Sequence, residues 1–186
     1  PLQKWYSLLS FPGDESTWSI PSKSWHNDEP TLVGEHEPLS IFAFAFLDDV
    51  ERRTGPTLAV TGSHRRSETL ALEQGISDER QVQAFDRGLI ANPAQARLLP
   101  VGRLLPELAA TDPWFQELAT GDSDANREHR LMREGTRNGQ IESRVVDLTG
   151  AAGDIILFDP RCLHTFSANV ADRPRQILRL DFRRTK

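Results

Sequence analysis

The residue types best suited to bind a metal ion occur as a close pair near the start of the chain. The sequence Trp25-His-Asn-Asp28 places a histidine and a carboxylate two positions apart. In an extended segment such residues project to the same side, so His26 and Asp28 can reach one metal ion together. They would supply two ligands of the 2-His-1-carboxylate facial triad that is typical of non-haem Fe(II) oxygenases. The pair alone is a weak indication, because the same spacing also occurs in ordinary polar loops.

A third candidate ligand and a cation lie near the other end of the chain. Residues 153–164 are predicted to form a strand, a turn and a second extended segment that ends at His164. Arg175 follows His164 by 11 positions (175 − 164 = 11), and we expect a hairpin to bring it back alongside that histidine. Arginine binds carboxylates through two parallel hydrogen bonds, which suits the far carboxylate of 2-oxoglutarate when the rest of that molecule chelates iron.

Bringing these residues together requires β structure at both ends of the chain. Candidate strands cover residues 39–47, 57–61, 145–148, 154–158 and 176–182. Residues 39–47 are almost continuously apolar, which predicts a central strand covered on both faces. Phe42, Phe44 and Phe46 should point to one side of this strand, and the intervening alanines to the other.

The middle of the chain has a different pattern, with apolar residues at helical spacing from about residue 65 to 140. Helix starts are predicted at 77–80 and at 111–114, where Asp112 should be the cap and Pro113 the first helical residue. We therefore predict a mainly β fold, a double-stranded β-helix (jelly roll, cupin-like) with this helical insertion between two β regions. Residues 1–186 are expected to form a single domain.

Composition limits the classes of partner. Hydrophobic residues make up 38% of the chain and charged residues 26%, as in ordinary soluble domains, and the net charge is −5. The acidic balance argues against nucleic acid and anionic membranes as partners, and no apolar run is long enough to cross a bilayer. Cys162 is the single cysteine, which excludes an internal disulfide and suits a cytoplasmic location.

Taken in order, these motifs resemble the phytanoyl-CoA dioxygenase (PhyH)-like family of Fe(II)/2-oxoglutarate-dependent dioxygenases. The resemblance covers residues 25–28, 44–50, the sequence Gly55-Pro-Thr-Leu-Ala-Val-Thr-Gly-Ser-His64, and residues 153–175. It implies that His26, Asp28 and His164 bind iron and that Arg175 binds 2-oxoglutarate. It also implies that Phe44 lines the 2-oxoglutarate pocket, with Asn27 and Thr57 as further contacts. Family members usually have a longer N-terminal region, which is expected to be missing from this chain.

The resemblance implies oxidation of a small organic molecule by O2, with decarboxylation of 2-oxoglutarate to succinate. Asp28 stands where related halogenases have a small residue, which favours hydroxylation or another oxidation over halogenation. Two alternatives stay open: a cupin-like metal enzyme that does not use 2-oxoglutarate, and a non-catalytic jelly-roll binding protein. The sequence indicates neither the substrate nor the oligomeric state.

Other polar residues receive simpler interpretations. His64 is expected to stabilise the turn after a strand and not to act as a fourth ligand. Arg179 and Asp181 alternate with apolar residues and share a face with Arg175. They either line the pocket or pair with each other on a solvated face.

Overall fold

A computed structural model describes residues 2–29, 40–75, 105–121, 124 and 126–183. Within these residues the elements follow one another as β1 (Leu2–Ser10), β2 (Ser40–Phe46), β3 (Thr57–Val60), α1 (Ser63–Glu73), α2 (Leu105–Thr111), α3 (Pro113–Thr120), a π-helix (His129–Glu134), β4 (Thr136–Asn138), β5 (Ile141–Ser143), β6 (Val145–Asp147), β7 (Ile155–Phe158), β8 (His164–Phe166) and β9 (Arg175–Arg183). None of these helices has the length and apolar composition needed to cross a lipid bilayer.

The strands form two main sheets in which every pairing is antiparallel. The larger sheet has the order β1-β9-β2-β7, the smaller sheet has the order β6-β3-β8, and β4 and β5 form a separate pair. Strand β2 therefore lies at the centre of the larger sheet, as its apolar sequence predicted. The predicted mainly β, jelly-roll class is confirmed.

The interior between the two sheets contains the aromatic face of β2. Alternation directs Phe42, Phe44 and Phe46 to the same side, where they are at most 3% exposed. They belong to one apolar cluster with Ala59 of β3 and Ile177 of β9, so both sheets contribute to it. This cluster forms the apolar surroundings of the candidate ligand His164, whose ring lies 5.0 Å from that of Phe158 in the same cluster.

A second apolar cluster lies on the opposite face of the smaller sheet. Leu58 and Val60 of β3 point to that face and pack among residues of the helical region. The helical residues in this cluster include Leu70, Leu105, Leu108, Phe115, Leu118 and Leu131. The helices thus cover the outside of the smaller sheet and hold it against the interior.

The predicted start of α3 is confirmed. The Asp112 carboxylate accepts a hydrogen bond from the backbone N–H of Trp114 at 3.0 Å, and Pro113 is the first helical residue. The helix start predicted at 77–80 lies outside the described residues. Strand β4 begins at Thr136, inside the region predicted to be helical. It was not predicted because a three-residue strand has too few alternating positions to be recognised.

Two expectations about β structure need correction. The outer face of β2 is only partly covered within the described residues, since Ala43 is 4% exposed but Ile41 is 40% and Leu47 50% exposed. The described helices pack on the smaller sheet. Strands β8 and β9 do not form a hairpin either, because β8 pairs with β3 whereas β9 pairs with β1 and β2. The chain crosses from one sheet to the other between His164 and Arg175.

Candidate metal centre

The short segment that carries His26 and Asp28 extends the smaller sheet beside β8. The backbone N–H of His26 donates to the carbonyl of His164 at 3.0 Å, and the N–H of His164 donates to the carbonyl of His26 at 2.8 Å. The N–H of Asp28 donates to the carbonyl of Pro160 at 2.9 Å. These bonds bring the two ends of the chain together and place His26 directly opposite His164.

The three candidate ligands converge on one point. Nε2 of His26 lies 3.6 Å from Oδ1 of Asp28, and Nε2 of His164 lies 3.7 Å from Oδ2 of the same carboxylate. Each residue offers one ligand atom such that all three atoms lie within 4.8 Å of one another. Among the described residues, this is the one group of three histidine, cysteine or carboxylate side chains so arranged. Two imidazoles and one carboxylate match the donor set of a facial triad.

Backbone carbonyls fix the orientation of both imidazole rings. Nδ1 of His26 lies 2.8 Å from the carbonyl of Ser24, and Nδ1 of His164 lies 2.9 Å from the carbonyl of Cys162. A carbonyl can only accept a hydrogen bond, so Nδ1 carries a proton in each ring, and Nε2 is the nitrogen that a neutral ring offers to a metal. Metal-binding histidines are usually held in this way by a hydrogen bond on the second nitrogen. Ser24 has a φ of 67°, which is unusual for a residue with a side chain and aims its carbonyl at His26.

The Asp28 carboxylate is held in its charged form. Its burial alone would raise the pKa, but the close contact with the His164 imidazole outweighs this, and the contacts with Arg179 and His26 add to the effect. The net result is a pKa below the ordinary value. Arg179 also contacts the carboxylate directly, with Nη1 donating to Oδ2 at 2.9 Å. The carboxylate is therefore ready to bind a cation.

Arg175 is a buried cation without a counter-ion among the described residues. It is 2% exposed, and its Nε and Nη1 atoms have no hydrogen-bond partner. Burial lowers its pKa to about 10, so the guanidinium is still charged at neutral pH. Buried charges are normally paired, so a guanidinium in this setting suits a bound anion such as the carboxylate of 2-oxoglutarate.

The other residues expected in the pocket have different placements. Phe44 is buried on the inner face of β2, with its ring 5.8 Å from that of Phe158. Thr57 is buried on β3, two positions before Ala59, which pairs with His164. Asn27 is buried as well, but alternation directs its side chain away from the two flanking ligands, and its Nδ2 donates to the carbonyl of Glu29. The structure thus brings Phe44 and Thr57, but not Asn27, to the interior face.

A cavity of about 350 Å³ borders the three-residue centre. Asp28, Phe42 and Arg179 are among the residues that line it. The rest of its wall is formed by Lys4, Tyr6, Leu8, Glu29, Asp181 and Arg183. Sequence reasoning missed the contribution of β1 to this wall, because the pairing of β1 with β9 joins opposite ends of the chain and leaves no local signal.

His64 lies apart from the three ligands, on helix α1. Its Nδ1 is 3.1 Å from Sγ of Cys162, so it packs against the loop that precedes His164. The neighbouring residue Ser63 was also missed: its fully buried hydroxyl accepts the backbone N–H of Leu163 at 2.8 Å and donates to the carbonyl of Val60. The His64–Cys162 and Ser63–Leu163 contacts attach this loop to the start of α1.

Comparisons with known proteins agree with this architecture. A family model described as "Phytanoyl-CoA dioxygenase (PhyH)" matches residues 4–177. A search of curated proteins gave no match. Among solved structures, EvdMO1 is 16% identical with a TM-score of 0.50, and the match covers 100% of this chain and 28% of that chain. SnoK, a "non-heme alpha ketoglutarate dependent carbocyclase" from nogalamycin biosynthesis, is 16% identical with a TM-score of 0.51, covering 98% and 49%.

AviO1 from Streptomyces viridochromogenes Tue57 is 17% identical with a TM-score of 0.48, covering 99% of this chain and 51% of that chain. This chain therefore spans about half, or less, of the solved proteins that it matches. At such identities the likeness to EvdMO1 and SnoK shows a shared fold. The family match extends over residues 4–177 and so includes His26, Asp28, His164 and Arg175. This protein belongs to the phytanoyl-CoA dioxygenase (PhyH) family.

Proposed function

We propose that this domain hydroxylates a small organic molecule with Fe(II), 2-oxoglutarate and O2, and that His26, Asp28 and His164 are its iron ligands. The observation that carries this proposal is the convergence of the three side chains within 4.8 Å in a fold that also buries an arginine with no counter-ion among the described residues. A metal centre alone would not need Arg175. A buried guanidinium without a partner is costly, and an anionic co-substrate removes that cost.

The residues divide the work by their positions. Bound Fe(II) and 2-oxoglutarate supply the oxidising chemistry, in which 2-oxoglutarate is decarboxylated to succinate as O2 is consumed. The two histidines and Asp28 would hold the metal as a three-residue ligand set. Arg175 would bind the far carboxylate of the co-substrate with its guanidinium and so fix its orientation.

The aromatic interior excludes water from this centre. Phe42 and Phe44 are each 3% exposed, and Phe158 is packed edge-on against the ring of His164. An apolar, largely dry surrounding protects reactive species from side reactions and strengthens the contact between Arg175 and a carboxylate. We propose Phe44 and Thr57 as walls of the co-substrate pocket, and the cavity beside Asp28 and Arg179 as the substrate entrance.

Hydroxylation is the simplest outcome for a centre that has its carboxylate ligand. The same cofactors also serve other oxidations, since SnoK is described as a carbocyclase. Product analysis separates these outcomes: hydroxylation adds one oxygen atom from O2 to the substrate, whereas ring closure removes two hydrogen atoms. Isotope labelling with 18O2 and mass spectrometry of the product would measure the difference.

The cofactor assignment is tested before any substrate is known. Fe(II) and 2-oxoglutarate are added without O2, and the visible charge-transfer band of the iron chelate is recorded. We expect the band in the wild type and a loss of 2-oxoglutarate affinity of at least about tenfold in Arg175→Ala, because the anchoring pair is removed. Arg173→Ala is the matched control, since Arg173 is exposed two positions away and should leave the band unchanged.

The alternatives give different results in the same experiment. A cupin-like metal enzyme that does not use 2-oxoglutarate would bind Fe(II) stoichiometrically but give no band. A non-catalytic jelly-roll protein would take up no stoichiometric Fe(II), and His164→Ala would change only its stability. Fe(II) uptake without the band contradicts the proposed co-substrate, and absence of uptake contradicts the proposed metal centre.

A further inference from the structure

The two oxygens of the Asp28 carboxylate have different surroundings. Oδ1 lies 3.6 Å from Nε2 of His26. Oδ2 lies 3.7 Å from Nε2 of His164 and also accepts a hydrogen bond of 2.9 Å from Nη1 of Arg179. A charged hydrogen bond therefore engages one oxygen of the candidate ligand, whereas Oδ1 has no such bond to Arg179. The side chain of Asp28 is only 7% exposed, so water competes little for this contact.

Arg179 is itself held in one orientation. Its Nε and Nη2 donate to the two oxygens of Asp181 at 2.8 and 3.2 Å, which is the bidentate geometry of a strong pair. Its guanidinium lies over the ring of Phe42, 3.7 Å from the centroid, and 5.3 Å from that of Tyr6. The neighbouring strands β1, β2 and β9 thus fix the plane of the guanidinium, and its remaining edge points to Asp28.

We propose that Arg179 is a positioning residue that retains Oδ2 of Asp28, so that the carboxylate binds the metal through Oδ1 alone. This inference rests on the proposed metal centre. In an octahedral site, two histidines and a one-oxygen carboxylate leave half of the positions open. A carboxylate that binds through both oxygens occupies one of these positions, and the chelating co-substrate then competes with a protein ligand.

The simpler interpretation is that Arg179 only links β9 to the segment that carries Asp28. Both interpretations predict a loss of stability when Arg179 is replaced. They differ in the expected number of water molecules on the bound metal. Loss of a purely structural link would leave this number unchanged, whereas loss of a positioning residue would lower it. Mn(II) is a suitable probe because it prefers octahedral oxygen and nitrogen ligands and is paramagnetic.

The experiment compares two variants that both lack the Arg179–Asp181 ion pair. Asp181→Asn keeps the contact between Arg179 and Asp28, and the double variant Arg179→Met, Asp181→Asn removes it without leaving a buried charge unpaired. Methionine keeps an unbranched side chain of similar length over Phe42. Water ligands on bound Mn(II) are counted by pulsed EPR in D2O, after circular dichroism has shown that each protein is folded.

We expect about three water ligands in the wild type and in Asp181→Asn, and about two in the double variant, from the octahedral geometry of Mn(II). We also expect an unreactive 2-oxoglutarate analogue to bind the Mn(II) form about tenfold more weakly in the double variant than in Asp181→Asn. If the double variant does not fold, Arg179→Gln with Asp181→Asn replaces it, since glutamine can bond to the new asparagine.

The results separate the two levels of the proposal. Equal water counts and equal analogue affinities in the matched pair overturn the role of Arg179 and leave the metal centre intact. If the wild type binds no Mn(II), or binds it at a site that His26→Ala does not remove, both the role of Arg179 and the proposed metal centre are overturned. A lower water count in the double variant alone supports the positioning role.

Discussion

Arg175 carries a positive charge into the interior, where the described residues offer it neither a carboxylate nor a full set of hydrogen-bond acceptors. Burial lowers its pKa to about 10, and no charge within the part of the chain that the structure describes compensates for the loss of water. Burying this charge costs free energy in the ligand-free protein, and a bound anion lowers that cost, which favours anion binding. Stability and function are therefore opposed at this position.

Replacing Arg175 by methionine should raise the stability of the ligand-free protein. The change removes an uncompensated buried charge and keeps apolar volume, so we expect the free energy of unfolding to rise by about 1–2 kcal/mol. Urea denaturation in the presence of a metal chelator measures this change. The same variant should lose the stabilisation that 2-oxoglutarate gives the metal-loaded wild type. A fall in the unfolding free energy would indicate that Arg175 has an internal partner in the folded chain.

The sequence pointed to His26, Asp28, His164 and Arg175 only when the motifs were taken together with the family resemblance, and their roles stay a prediction. Residues two apart share a face of an extended segment, and His26 and Asp28 do so. Arg179 was placed on the face of Arg175 by the same rule, but two interpretations of it stayed open. The structure shows parts of both, since Arg179 pairs with Asp181 and also reaches Asp28. Periodicity gives the face of a residue and not its partner in a distant segment.

At the scale of elements, the position of His164 depends on how its loop is attached to α1. The Ser63 hydroxyl receives the N–H of Leu163, and the N–H of Val60 donates to the carbonyl of the same leucine. Cys162, the residue before Leu163, accepts a hydrogen bond at its carbonyl from Nδ1 of His164. The start of α1, on the outside of the smaller sheet, thus helps to orient the candidate ligand His164 in the interior.

Ser63→Ala should therefore be more damaging than a similar change on the same helix. It leaves the buried N–H of Leu163 without a partner, which costs about 1–3 kcal/mol in unfolding free energy. Ser67→Ala is the matched control, because Ser67 is also buried but its hydroxyl donates only to the carbonyl of Ser63 within the helix. That change should cost less than about 0.5 kcal/mol. Thermal unfolding of both variants and their Fe(II) affinities provide the measurement, and equal effects would contradict the anchoring role.

Local signals predicted some elements well and their partners poorly. The start of α3 was readable because the capping carboxylate of Asp112 and Pro113 act within one turn. The strands near the C-terminus were found for a similar reason, since alternation is local. The supposed hairpin between His164 and Arg175 failed because strand pairing depends on distant segments. In the structure, β3 pairs with β8 and β1 pairs with β9.

At the scale of the whole molecule, the two sheets differ in what covers them. The described helices pack on the outside of the smaller sheet, whereas the outside of the larger sheet has exposed apolar side chains. The most exposed on β1 and β7 are Trp5, Leu9, Ile155 and Leu157. The solved proteins that share the fold are about twice as long as this chain or longer. An apolar face of this kind is typical of surfaces that contact other protein.

Substitutions at two adjacent isoleucines on β7 test whether the outer face of the larger sheet is covered in the protein. Ile155 is 62% exposed on the outer face, and Ile156 packs against the interior cluster. Threonine keeps the β-branched shape that favours a strand, so each Ile→Thr change alters mainly the burial of apolar surface. We expect Ile155→Thr to change the free energy of unfolding by less than about 0.5 kcal/mol and Ile156→Thr to lower it by about 1–3 kcal/mol. Equal losses at both positions in urea denaturation would mean that protein outside the described residues buries the outer face as firmly as the sheets bury the interior.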